Sequence, residues 1–267
     1  YPRRFYVLTM DFTPTPEQEM IRRQVREFAE GEIKPVAQNF DESGDFPRAT
    51  VAKMAGLGLL GMLVPQDLEG GGLDTVTYAI AIEEVARVDG AHGLIMAAHN
   101  SLCTGNILIA GSKEQLAEYV PDLATGRRIG AWGLTEPASG SDAASMKTEA
   151  SWDSDAWVVN GTKNFCTNAP VAGTFVIMAV TDRRKGNHGI SAFIIERGTP
   201  GLRIGKVEDK RGMRASATSE VLREDIRVPV DDLLGEVNYG FTNALKTLDG
   251  GRISIGALGV WIAQGAF

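Results

Sequence analysis

Disulfides, metal clusters and nucleic-acid binding are the first things this sequence argues against. It holds two cysteines in 267 residues, Cys103 and Cys166. That is too few for a disulfide framework or a zinc site, and it suits a reducing compartment. Histidine is scarce too: His92 and His99 lie seven apart, and His188 sits in a polar turn. With no third ligand in view, packed or pocket-lining imidazoles are the better reading than metal. Positive charge is also short, with 27 Lys plus Arg against 34 Asp plus Glu, a net charge of −7 and a pI near 5.1. Such a chain is a poor general binder of phosphate backbones. No apolar run approaches the ~20 residues of a membrane span. The opening YPRRFYVLTM has too short an apolar stretch for a signal peptide and no small-residue cleavage site. A start at Met10 would leave residues 1–9 as a tag or extension. What remains is an ordinary globular composition, 43% hydrophobic and 23% charged, long enough for two packed units.

The first half reads as helices. Thr15-Pro16-Glu17-Gln18 and Ser112-Lys113-Glu114-Gln115 are capping boxes, the second opening a helix to about Gly126, and Asp74 caps a third helix carrying Tyr78, Ile82 and Val85. Ile21, Val25, Phe28 and Ile33 recur at helical spacing. Residues 46–60 form another helical candidate ending in glycines, and residues 89–110 are apolar on nearly every side, as in a buried helix. Near Ile129 the period changes. Residues 175–180 and 190–195 are continuous β-rich runs, residues 220–228 alternate, and Asn160-Gly161 is a hairpin signal. After Gly240 the helical pattern returns and is still running at Phe267, as if the chain were cut there. The expected architecture is α+β and multidomain: an all-α N-terminal domain over 10–128, a β-barrel or sandwich domain over 129–236, and the first helix of a C-terminal bundle over 237–267.

Gly-rich stretches at 56–61 and 70–72 match neither a P-loop nor a dinucleotide fingerprint, since neither follows a strand and opens a helix. The segment that stands out is LTEPASGSD, residues 134–142. Its small residues let backbone approach a ligand closely, and Thr135 and Ser141 offer hydroxyls beside free amides. A ligand-cradling loop and an ordinary tight turn fit it equally. NGTKNFCTN, residues 160–168, adds a second polar loop with an aromatic, where Phe165 suits a planar ligand or plain strand packing.

Taken in order, LTEPASGSD, NGTKNFCTN, GISAFIIERGTPG, DKRGMRAS, RVPVDDLLGE and LDGGRISIGALG resemble the acyl-CoA dehydrogenases, flavoproteins that introduce a 2,3-double bond into acyl-CoA thioesters. FPRATVAKMAGLGLLG, VPQDLEGGGLD and AIEEVARVDGAHGLIMAAHNSLC agree, so the resemblance covers residues 10–267. Within the family it is nearest the bacterial short-chain, butyryl-CoA type.

The resemblance implies FAD as cofactor. Trp132, Gly133, Leu134, Thr135 and Ser141 would lie along the flavin, Phe165 against its ring, and Thr167 near its hydride-accepting N5, with Cys166 held mainly through backbone. Ser141, Phe241, Asp249 and Arg252 would meet the CoA thioester. Ile95, His99 and Leu102, at i, i+4 and i+7, are the expected wall of the acyl pocket, favouring C4 to C6 chains. A base must take the α-proton. Most of the family supplies a Glu from the C-terminal domain, and some branches place it just before the arginine of LDGGR. That position is Gly251 here, so the resemblance leaves the base outside these residues and the fragment inactive alone. Glu136 and Asp142 are expected to bond backbone amides in their turn. The resemblance further implies electron-transfer flavoprotein as acceptor, a homotetramer, no nucleic acid or membrane span, and a bacterial cytoplasmic or mitochondrial matrix location. Glutaryl-, cyclic or aryl-acyl-CoA dehydrogenases and a non-catalytic flavin- or CoA-binding relative stay open beside it. Residues 93–106 carry no cation to meet a distal carboxylate, which tilts the reading toward neutral short chains.

Overall fold

The structure is a computed structural model that describes residues 12–267; the expected tag or extension over 1–9 and the Met10 start lie outside them. Both capping boxes form. In α1 (Pro16–Phe28) the Gln18 amide donates to the Thr15 hydroxyl and the Thr15 amide donates back to the Gln18 side chain. Ser112 and Gln115 repeat this at α7 (Lys113–Ala124), and Asp74 caps α4 (Thr75–Val88). A π turn (Ala29–Ile33) joins α1 to α2 (Lys34–Ser43). The helix expected over 46–60 is the shorter α3 (Arg48–Gly56); Gly58, at φ 75°, turns left-handed and ends it.

Helix α5 (Gly90–Ala97), a π segment (Ala98–Thr104) and α6 (Gly105–Ala110) run on as one helix. By length and composition, Gly90–Ala110 matches a membrane span, which corrects the expectation that no stretch comes near one. It is a core helix: Ile95 and Met96 are fully buried with Leu60, Tyr78, Ile82 and Val85.

Eight strands follow: β1 (Gly130–Gly133), β2 (Glu149–Asp153), β3 (Ala156–Thr167), β4 (Thr174–Val180), β5 (Ile190–Glu196), β6 (Leu202–Val207), β7 (Thr218–Pro229) and β8 (Leu233–Leu234). They form one sheet in the order β6-β7-β3-β2-β4-β5-β8, with β1 parallel beside β4. Alternate β4 residues serve two cores. Val176 and Met178 pack with α7 residues Val120 and Leu123; Phe175 and Ile177 pack with Val159, Val221 and Ile226 of β3 and β7. The sheet therefore doubles over itself, and β4 reads as a continuous apolar run because both its faces are covered.

Asn160-Gly161 is not a hairpin turn, contrary to the sequence reading. The turn lies at Ser154-Asp155, and Gly161 sits inside β3 where its pairing to β7 shifts register. Gly161 has φ 145° and lies against Thr148, whose Cα would be 2.7 Å from an added Cβ. The dipeptide marks a bulge.

Helix α8 (Gly240–Ala266) lies across α4, α5 and the π segment. Within α8, Leu258 is buried in the helical core and Trp261 packs against it, while Ile253 and Ile255 are half exposed.

Candidate functional site

The loop after β1 is clamped from below by the bulged part of β3. Lys163 Nζ donates to the Leu134 carbonyl (3.1 Å) and to Glu136 Oε1 (2.6 Å), and Asn164 N donates to the Thr135 carbonyl (2.8 Å). Glu136 in turn accepts from the amides of Lys147 (2.5 Å) and Thr148 (3.0 Å). The Lys163 side chain is 0% exposed and that of Glu136 3%. Burial alone would raise the Glu136 carboxyl, but Lys163 and these donors outweigh it and hold it below the ordinary carboxylate range. Glu136 thus has its expected amide-bonding duty. Asp142 differs: its carboxylate takes the Ser145 hydroxyl, and its carbonyl accepts from Ser139 Oγ.

Past this clamp, β3 bulges again between Lys163 and Cys166. Phe165 adopts φ 54° and is 61% exposed, whereas Cys166 turns into the sheet's inner core. The result is a notch of about 190 Å³ lined by Trp132, Leu134, Thr135, Asn164, Phe165 and Thr167. Trp132 Nε1 and Asn164 Oδ1 are buried there without a hydrogen-bond partner among the described residues. Ala98, Leu102, Thr167 and Leu248 are shared with a second cavity of about 280 Å³ between the α5–α6 helix and α8. That cavity is apolar save for Ser101, Ser254, Thr167 and Arg252, and none of its lining residues is Asp or Glu. A flat ring with both donor and acceptor edges fits the notch, because a buried donor and a buried acceptor wait there unmatched.

Trp132, Leu134, Thr135, Phe165 and Thr167 come together at the notch, and Arg252 joins Thr167 on the cavity. The others stand apart. Gly133 is buried in β1, Ser141 is exposed on its loop, Phe241 packs partly buried against the sheet, and Asp249 pairs with Arg252 at 2.7 Å with both side chains 71% exposed. The expected acyl wall is corrected as well. Leu102 lines the cavity with Leu94 and Ala98, but Ile95 points into the helical core and His99 toward the sheet. The π segment widens the helix at Ala98, so an α-helical face drawn from residue 95 does not carry through. Asn164 and Gly251 line the two cavities alongside these. Asn164 stood in plain view within NGTKNFCTN.

His92 and His99 are structural. His92 lies between Asp89 and Thr50, and no group of His, Cys, Asp or Glu among the described residues has metal-binding geometry. His99 donates from Nε2 to the Leu123 carbonyl (3.0 Å) and accepts the Gly130 amide at Nδ1 (2.9 Å), so it is held as one neutral tautomer. Burial pushes its pKa down to about 4. The unfolded value is near 6.5. Its stabilising effect is therefore complete above pH 6.5 and is lost as pH falls toward 4, on the order of 3 kcal/mol. Denaturant midpoints between pH 7 and 4 should show that decline in the native protein and a flatter one in His99→Gln. Parallel profiles would overturn this account.

Known families match this geometry. The family "Acyl-CoA dehydrogenase, N-terminal domain" matches residues 15–127, and "Acyl-CoA dehydrogenase, middle domain" matches residues 131–226. The short-chain-specific acyl-CoA dehydrogenase of Clostridium acetobutylicum is 50% identical over 258 residues, which is 97% of this chain and 68% of that protein. The mitochondrial short-chain-specific enzyme of Bos taurus is 46% identical over 99% of this chain and 64% of its own length. The structure of butyryl-CoA dehydrogenase from Megasphaera elsdenii superposes with a TM-score of 0.93 at 38% identity, covering 96% of this chain and 68% of that one. The chain thus spans about two thirds of the length of these relatives.

Proposed function

The chain belongs to the acyl-CoA dehydrogenase family, and from that premise we propose that it builds the flavin- and acyl-binding part of an FAD-dependent enzyme that converts a short-chain acyl-CoA to the trans-2-enoyl-CoA. The observation that carries this reading is the junction at Thr167, where an apolar cavity meets a notch with an unmatched buried donor and acceptor. Trp132, Leu134, Thr135, Phe165 and Thr167 would hold the isoalloxazine, with Gly133 and Cys166 contributing backbone. Ser141, Phe241, Asp249 and Arg252 would serve the CoA side. When bound, FAD accepts the hydride that leaves the β-carbon.

The chain's own residues seat the acyl group in a dry, apolar wall and fix its approach to the notch. That dryness favours removal of the α-proton by a nearby carboxylate, since charge is not dispersed into water. We assign that base to the third of the relatives' length that this chain does not span, because no carboxylate lines the cavity among the described residues. Gly251 does line it, in keeping with the resemblance that makes 251 an alternative base position. Among the described residues Arg252 is the one cation on the cavity, and Asp249 already engages it, which favours neutral acyl chains. Electron-transfer flavoprotein as acceptor, a homotetramer, and a cytoplasmic or matrix location complete the reading.

The test is anaerobic bleaching of the flavin by butyryl-CoA in the FAD-loaded full-length protein, with the C-terminal portion that its relatives carry. Thr167→Val removes one hydroxyl from the junction, a bond of ~1 kcal/mol, so bleaching should slow about five-fold with the fold intact. Chains of C4 to C6 should outpace C12. If no thioester from C4 to C16 bleaches the flavin, this reading is wrong.

A further inference from the structure

A third cavity, of about 240 Å³, opens where the helical domain meets the sheet, and four arginines line it. Arg48 comes from the start of α3, Arg127 and Arg128 from the link between α7 and β1, and Arg197 from the residue after β5. No Asp or Glu is among the lining residues. Four guanidiniums on one cavity stand out in a chain of net charge −7. The cavity shares no lining residue with the notch or with the acyl cavity.

The four are not equivalent. Arg127 pairs with Asp122 and Glu69, and Arg128 with Asp122 and Glu196, carboxylates that lie outside the lining. Arg48 and Arg197 have no carboxylate partner among the described residues, yet both are held in place. Arg197 Nε and Nη2 donate to the carbonyls of Ala172 (2.5 Å) and Ala169 (2.6 Å), and its guanidinium lies 5.7 Å from the centre of the Phe175 ring. Those two bonds leave further N–H donors of the five unused. The Arg48 guanidinium lies 5.9 Å from the centre of the Phe46 ring and makes no hydrogen bond with the described residues. Burial, and then the charge of Arg48, pull the Arg197 pKa below its ordinary value. The two cations therefore repel, and the lining supplies no carboxylate to relieve it.

The backbone adds to the same field. Pro47 at the N-cap gives α3 no side-chain cap, and its first turn holds no acid. Uncapped amides at a helix start attract anions, and guanidinium forks match phosphate oxygens in pairs. The rest of the lining is largely apolar, with Phe46, Val51, Ile129 and Val171. We propose that this cavity is a binding site for a small organic phosphate, its anionic group between Arg48 and Arg197 and its apolar body against Phe46 and Ile129. Since α3 belongs to the helical domain and Arg197 to the β-domain, such a ligand bridges the two and stabilises their junction.

Phenyl phosphate is the probe. It is titrated by calorimetry into FAD-loaded full-length protein saturated with CoA, so that the phosphate positions of both larger ligands are already filled. Phenyl phosphate should bind with a millimolar or lower dissociation constant, added salt should weaken it, and phenol should give no heat of binding. Arg48→Gln should weaken phenyl phosphate by about ten-fold or more, the loss of one charge-assisted contact. Arg48→Lys should recover part of that, since it keeps the charge and loses the fork. Arg48 is exposed, so the ligand-free variants should melt as the native protein does. Phenyl phosphate should then raise the Tm of the native protein more than that of Arg48→Gln. No binding of phenyl phosphate, equal affinity in Arg48→Gln, or phenol binding as tightly as the phosphate overturns the proposal.

Discussion

Gly251→Leu is expected to cut kcat/KM for hexanoyl-CoA by at least about five-fold while leaving the fold at least as stable. Gly251 is buried in α8 and lines the acyl cavity. A Cβ there would come 3.3 Å from Leu102 Cδ2 and 3.8 Å from Ser101 Cβ, so the rest of a leucine has only the cavity to occupy. Crowding a packed site costs about 1–3 kcal/mol, which spans roughly five- to 150-fold in affinity. Helix propensity works the other way, because glycine in a helix interior is about 1 kcal/mol worse than a good helix former. The loss should be smaller for butyryl-CoA, whose chain reaches less far. Steady-state kinetics of the full-length protein with both thioesters and a thermal melt read the split. Unaltered hexanoyl-CoA kinetics would mean that the acyl chain lies elsewhere, and a large fall in Tm would mean that Gly251 is needed for packing.

The second large effect is on stability. Removing one member of a buried ion pair leaves the other charged and unpartnered, at a cost of about 3–5 kcal/mol. Glu136→Leu should be the worse of two deletions, since it takes the carboxylate from the Lys163 ammonium, which keeps the Leu134 carbonyl, and leaves the amides of Lys147 and Thr148 without their acceptor. Lys163→Met leaves the Glu136 carboxylate with those two amides still donating. A fall in Tm of about 10 °C is expected for Glu136→Leu and a smaller one for Lys163→Met. FAD affinity should fall with both, because the clamp holds the carbonyls of Leu134 and Thr135 in place at the notch. The sign with pH follows from the depressed Glu136 carboxyl: the pair stabilises above the ordinary carboxylate pKa and weakens as pH drops below it. Equal melting of Glu136→Leu and the native protein would show that the clamp is dispensable.

Much of this was legible in the residues, and what was legible was local. Thr15 with Gln18, and Ser112 with Gln115, announce their helices because a capping box is closed within four residues. The β-rich run over 175–180 shows a strand covered on both faces. Asn160-Gly161 misled because the same dipeptide suits a turn and a bulge, and Thr148, thirteen residues before Gly161, decides between them. The acyl wall was drawn from an α-helical face that the π segment interrupts. Lys163 gave a faint sign, a lone charge between strand residues, but its partner Glu136 is 27 residues off.

The π segment has a genetic corollary. A helix that widens over Ala98–Thr104 holds, in effect, one residue more than a regular helix of the same span. Losing a single codon there would let the backbone relax into an ordinary helix, so the lesion would look mild by composition. The helix downstream would keep its place over the same span, so the change would fall on the widened turn itself. Gly130 would lose the His99 nitrogen that receives its amide, and Asn168, which donates to the Ile95 carbonyl at 3.1 Å, would face a carbonyl reclaimed by the helix. Single-residue deletions across codons 98–104 should thus be far less tolerated than conservative substitutions at the same positions. In a deletion scan the segment would appear as a trough, set by the contacts that the widened turn makes with Gly130 and Asn168.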